Sequence, residues 1–241
     1  MLLTFIDETA DHKFKQYLGF CVATINAKFY PLLKREAQEI LASISWDSSV
    51  EFKGSFLFSK SNGCTDVEVE TRIDAAHQLL DLNISKKNSR LRFYYGGMYS
   101  ENHTRDYVES LPPLIEKALP RAAKGAGKNL ISVMCDERSD VSAADLHSAI
   151  QPAVEANGYT VHENVMSVRS TFDSIGLMYA DLVGYLAGRV ETIGNDSELF
   201  EGLTEEQLHT NGKIRKLRSS SELIEKVKCL DIYSHIQSPA S

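Results

Sequence analysis

Two kinds of apolar pattern alternate along this chain. Short β-rich runs at residues 2–6, 17–25, 91–99, 130–135 and 159–168 read as strands. Between them lie longer stretches whose apolar side chains recur every three or four positions, which is the signature of amphipathic helices. Leu32, Leu33, Ala37, Ile40 and Leu41 predict a helix over 27–44. Val69, Ile73, Ala76, Leu79 and Leu80 predict a second over 66–82. A third is expected over 107–123, beginning near the Pro112-Pro113 pair. A fourth spans 142–157, with a serine cap and Gly158 just past its end, and a fifth spans 174–191.

The first two runs, joined by the polar segment 11–16, predict a hairpin. A brief strand is expected at 50–54 and a loop at 59–64. The run 130–135 shows no alternation, so both its faces should be buried and it should lie centrally in a sheet. Strands alternating with helices give an α/β fold class. One domain is expected over 1–192, followed by a more polar C-terminal extension, 193–241, with short helical stretches near Glu205 and Ser221, packed on or beside the domain. There is no internal repeat.

Composition narrows the class. With 43% hydrophobic and 24% charged residues over 241 positions, the chain can bury a substantial core and is far from disordered or fibrous sequences. The longest apolar runs, 18–25 and 175–183, fall short of the roughly 20 residues a spanning helix needs. No basic residue precedes 2–6 and an acidic pair follows it, which is not a secretory pattern. A cytoplasmic protein is expected, with no membrane partner. A net charge of −7 argues against coating nucleic acid by bulk attraction. Local basic groups remain, Lys117, Arg121, Lys124 and Lys128 around one loop and Lys213, Arg215, Lys216 and Arg218 near the C-terminus, each readable as a solvated face or a local contact surface. Cys21, Cys64, Cys135 and Cys229 are too scattered for a zinc knuckle or redox motif.

Four acids occur where apolar segments end or where a helix is otherwise apolar. Asp7 and Asp136 each close a strand-like run, and functional groups gather at such ends in open α/β sheets. Asp181 interrupts Leu177 to Val183, where an uncompensated carboxylate is costly to bury. Ala180, Gly184 and Gly188 would let its helix approach the sheet closely. Glu51 shares one face of an extended segment with Lys53. Taken singly, each acid reads as a cap, a turn former or an ion-pair partner. Converging carboxylates instead call for a hard divalent cation such as Mg²⁺ or Mn²⁺, and two such ions about 3.5 to 4 Å apart can drive phosphodiester hydrolysis. Along a strand Asp7 and Glu8 point to opposite sides, so Asp7 ranks above Glu8 as a ligand.

These residues also carry a family resemblance. Phe5-Ile6-Asp7-Glu8-Thr9, Glu51-Phe52-Lys53, Val133-Met134-Cys135-Asp136, Phe172-Asp173-Ser174 and the run from Gly176 to Val183 resemble, in order and spacing, the motifs of the domain of unknown function 3800 family. The resemblance covers residues 2 to about 191. It implies an RNase H-like mixed β-sheet flanked by helices. It further implies Asp7, Glu51, Asp136 and Asp181 as catalytic metal ligands, with Glu8, Lys53 and Ser174 beside them in substrate-binding or supporting roles. Thr9-Ala10 stands where the family usually has Ser-Gly, and Met178-Tyr179 where Leu-Gln is common; the acids are intact.

The segment Lys124 to Asn129 only partly resembles a phosphate-binding loop, with Ala122 and Asn129 where that loop needs Gly and Ser/Thr. The histidines show no metal-ligand spacing, and His12 alone lies near the acidic pair. No Gly-x-Ser-x-Gly elbow is present. Two functions remain: a Mg²⁺- or Mn²⁺-dependent nuclease acting on DNA or RNA, and a non-catalytic RNase H-like adaptor that binds nucleic acid or a protein partner. A phosphatase built on the same metal site is a third possibility.

Overall fold

The structure, a computed structural model, describes residues 1–10, 17–57, 67–86, 90–100, 103–123, 129–195, 223 and 233–237. Segments 11–16 and 59–64, Lys124, Lys128, the C-terminal basic group, the stretches near Glu205 and Ser221, His12 and His209, and Cys64 and Cys229 lie outside them.

The described residues form one mixed sheet. Its first strands, β1 (Leu2–Ala10) and β2 (Tyr17–Asn26), pair antiparallel as the predicted hairpin, and β2 pairs antiparallel with β3 (Arg92–Tyr99). On the other side β1 runs parallel to β4 (Leu130–Asp136), which is therefore internal, as its unbroken apolar run requires. Beyond β4 lie two short pieces, β5 (Thr160–Val161) and β6 (Met166–Val168). The predicted strand 159–168 is thus split. Four residues on this edge, 162–165, face two on β4 between the pairs Ile131↔Val161 and Met134↔Met166, and the surplus bulges out of the ladder.

Helices cover both faces. Phe5, Cys21 and Phe93 point to one side and pack under α1 (Tyr30–Ser43), α2 (Val69–Ser85) and α5 (Ile175–Asn195). Ile6, Phe20, Val22 and Cys135 point to the other and pack under α3 (His103–Ala118) and α4 (Ala143–Ala156). The α4 cap is as expected: the Asp145 amide donates to Ser142 Oγ at 3.1 Å, and Gly158 has φ +82°, the left-handed value that ends a helix.

Three further predicted elements differ. The third helix begins at His103 and carries Pro112 and Pro113 inside it, because the burial of Tyr107, Leu111, Leu114 and Ile115 outweighs the missing amide donors. It stops at Ala118, ahead of Pro120, rather than at 123. Residues 50–54 form no strand: the backbone is extended at Lys53 and then turns into a 3₁₀ helix, Gly54–Phe56, because the Gly54 amide bonds a side chain instead of a neighbouring strand. Finally, β1 runs four residues past Ile6, so Asp7 and Glu8 lie within its pairing with β2.

Within the C-terminal segment, Tyr233–Gln237 is a strand, β7, parallel to β3 at the sheet edge, and Leu223 is buried against the α5 side of the core. No described helix is long and apolar enough to cross a membrane.

Candidate functional site

Register brings the first two acids together. The parallel pairs Phe5↔Met134 and Ile6↔Cys135 put Asp7 beside Asp136 at the next step along both strands. Parallel partners share a face, and alternation from Phe5 aims both carboxylates toward α5. Asp7 is 5% exposed.

Small residues bring the third. A Cβ built on Gly184 would stand 2.9 Å from Cys21 Cβ and 3.0 Å from Thr9 Oγ1, and one on Gly188 would stand 3.1 Å from the Tyr95 hydroxyl. Only glycine lets α5 lie this close to β1 and β2. Cys21 is the β2 partner of Asp7, so Asp181, three residues before Gly184, is carried to the same place. The predicted close approach of this helix is observed.

The fourth acid arrives on the irregular segment before the 3₁₀ turn. The Gly54 amide donates to Asp181 Oδ2, and Lys53 Nζ lies 3.1 Å from Glu51 Oε2. The other oxygen of Glu51 is buried without a hydrogen-bond partner. Asp136 Oδ1 accepts from the Ser170 amide at 3.2 Å.

The electrostatics follow from this crowding. Burial, then repulsion from Asp181, Glu8 and Asp136, pushes the Asp7 carboxyl well above the usual range, with Lys53 opposing. Burial pushes Asp181 up to about 6; the Gly54 amide and Lys53 oppose this, and Glu51 and Asp136 add to it. Burial disfavours the Lys53 charge, but Glu51, Asp181 and Asp136 hold its ammonium above the ordinary value.

Glu8 faces the opposite side of the sheet. Burial raises it, while Arg138, whose Nη1 donates to Glu8 Oε1 at 3.0 Å, holds it down. Ser174 stands at the head of α5, where Oγ accepts from the Thr171 amide at 3.2 Å and its carbonyl accepts from Met178. Arg138 was not singled out in the sequence; its position two residues beyond Asp136 was the available signal.

Among the described residues, no three His, Cys, Asp or Glu side chains are arranged to hold a metal ion as placed. In charge and donor type the acids do fit one. They are hard oxygen donors, mutually repelling, with an orphaned buried oxygen on Glu51, and a divalent cation relieves that combination.

No family model and no curated protein matches this chain. The fold is α/β, a mixed sheet with helices on both faces, as the sequence resemblance leads one to expect. Several solved structures are similar to the chain. The ribonuclease H2 from Pyrococcus horikoshii OT3 is 12% identical, with 95% of this chain and 99% of that one covered at a TM-score of 0.47. A chain of the PCNA:RNase HII complex from Archaeoglobus fulgidus is 11% identical, with 92% of this chain and 89% of that one covered at a TM-score of 0.44.

Proposed function

We propose that this chain is a divalent-metal-dependent nuclease hydrolysing phosphodiester bonds of DNA or RNA, and that it belongs to the domain of unknown function 3800 family. One observation carries the reading: Asp7 is buried beside Asp136 and Asp181, acids from two other elements, and among the described residues Lys53 is the cation that opposes their charge on it. A protein keeps so costly a cluster where a bound cation offsets it.

Asp7, Asp136, Asp181 and Glu51 would hold Mg²⁺ or Mn²⁺. Such ions activate a water and stabilise the leaving oxygen in phosphodiester cleavage. Around them Lys53 neutralises Glu51 and presents an ammonium to a phosphate, and the Gly54 amide fixes which oxygen of Asp181 remains available. With a net charge of −7, attraction for a nucleic acid has to come from such local cations rather than from the whole surface. A cytoplasmic location is part of the same proposal.

The test is incubation of the purified chain with Mn²⁺ and single- and double-stranded DNA and RNA, with Asp7→Asn in parallel. Cleavage that needs the cation and is lost in the variant supports the nuclease. A wild-type chain that cuts none of the four polymers overturns it in favour of a non-catalytic adaptor.

A further inference from the structure

The strand exits that carry Asp7 and Asp136 are tied together on the far side of the sheet. Glu8 follows Asp7 and points away from α5, into the face covered by α3 and α4. Arg138 follows Asp136 by two residues and reaches the same face. Its guanidinium donates through Nη1 to Glu8 Oε1 at 3.0 Å, through Nε to Asp140 Oδ1 at 2.9 Å and through Nη2 to Asp140 Oδ2 at 2.7 Å. The cation also stacks 4.5 Å from the ring centroid of Tyr107, a fully buried residue of α3. Thr104 Oγ1, on the first turn of α3, donates to Asp140 Oδ2 at 2.6 Å and fastens the far end of the bridge. The Glu137 amide, between Asp136 and Arg138, is held by the Val168 carbonyl at 3.0 Å.

A planar guanidinium with both ends bonded and its face stacked has little freedom to move. Parallel pairing of β1 with β4 ends at Ile6↔Cys135, so no ladder bond sets the spacing of Asp7 and Asp136 beyond that point. The Glu8 to Arg138 bridge supplies the missing tie one residue further on.

We propose that Arg138 is a positioning residue for the carboxylate site: by bridging Glu8 to Asp140 it clamps the exits of β1 and β4 and sets the spacing of Asp7 and Asp136. The clamp rests on the proposed reading that these acids take a divalent cation. It also keeps Glu8 engaged on the opposite face and out of the cluster.

Charge and geometry predict opposite outcomes when Arg138 is removed. By Coulomb's law alone, deleting a cation close to an acidic site tightens binding of Mn²⁺. Loss of a clamp loosens it, by about 10- to 100-fold on the scale seen for residues that support metal ligands. The experiment is Mn²⁺ titration of the full chain, followed by electron paramagnetic resonance, for wild type, Arg138→Ala and Asp140→Asn, with folding checked by circular dichroism. The expected result is a Kd raised about 10- to 100-fold in Arg138→Ala and raised less in Asp140→Asn. Asp140 is well exposed, so its variant decides the matter should Arg138→Ala not fold. Unchanged or tighter Mn²⁺ binding in a folded variant overturns the clamp while leaving the metal site standing. A wild-type chain that binds no Mn²⁺ overturns the metal reading and the clamp together.

Discussion

The backbone amide of Gly54 donates to Oδ2 of Asp181, across 127 positions of sequence. This bond joins α5 to the segment carrying Glu51 and Lys53, and so places two of the four acids relative to each other. It also explains why residues 50–54 form no strand: the amide that would have entered a ladder is committed to a carboxylate. A Cβ on Gly54 would lie 2.7 Å from Tyr185 Cβ, so the close approach that makes the bond depends on glycine.

Asp7→Asn is expected to stabilise the metal-free protein. Burial and three acidic neighbours disfavour the charged carboxylate, and the amide removes that charge at nearly constant volume. In EDTA the Tm should rise by about 2–4 °C for each kcal/mol relieved in a chain of this size. The same variant should lose about 100-fold or more of any Mn²⁺-dependent cleavage, the scale for removing one preorganised electrostatic contact. A variant less stable than wild type in EDTA would show that the charge of Asp7 is compensated after all.

Asp181 gives the metal-free chain a pH dependence of definite sign. Its carboxyl titrates at about 6 when folded against 3.8 ordinarily, so between these values the folded state holds a proton that the unfolded state has released. Stability from this group therefore falls as pH rises through that window, and is highest below it. Thermal melts in EDTA between pH 4 and 8 should show this slope in wild type and a shallower one in Asp181→Asn, whose amide oxygen can still accept from Gly54. Equal slopes would remove Asp181 as the cause.

Gly184→Ala should weaken both the fold and the site. The added methyl would stand 2.9 Å from Cys21 Cβ and 3.0 Å from Thr9 Oγ1, both on strands with no room to retreat. A cost of about 1–3 kcal/mol is expected from overpacking, measured by urea denaturation. Because α5 must shift outward, Mn²⁺ affinity should fall as well. An unchanged Kd would mean that Asp181 is placed by the Gly54 bond alone.

Asn83→Ala separates stability from the site. Asn83 is fully buried on α2, where Nδ2 donates to the Leu91 carbonyl at 3.2 Å and Oδ1 accepts the Leu91 amide at 2.8 Å. Removing it strands a buried amide and carbonyl, at a cost of about 1–3 kcal/mol. Urea denaturation should show that loss, with Mn²⁺ affinity unchanged below the transition. A parallel loss of Mn²⁺ binding would indicate that any destabilisation disturbs the cluster, and would weaken the inferences drawn from Gly184→Ala.

The elements built by local pattern were legible in advance. The alternation of Phe5 and Ile6 between two cores, the Ser142 cap and the unbroken run of β4 are consequences of side-chain period and burial that a few consecutive residues specify. The elements that depart from local pattern are those where a distant partner decides: helix across Pro112 and Pro113 because Tyr107 and Ile115 are buried, a split in 159–168 because four of its residues face two on β4, and irregular chain at 50–54 because Asp181 takes its amide.

The same division holds for the site. Sequence by itself determined which acids are anomalous, since a carboxylate at the end of an apolar run or inside an apolar helix is costly wherever the fold places it. It also determined that Asp7 and Glu8 face opposite ways, because strand alternation is a local property. Only the tertiary structure decided that Asp7 lies beside Asp136, that Gly184 lets Asp181 reach them and that Arg138 bridges the strand exits from behind. Register, helix approach and a guanidinium bridge are set by contacts between residues far apart in the chain, and no local pattern encodes which of them will meet.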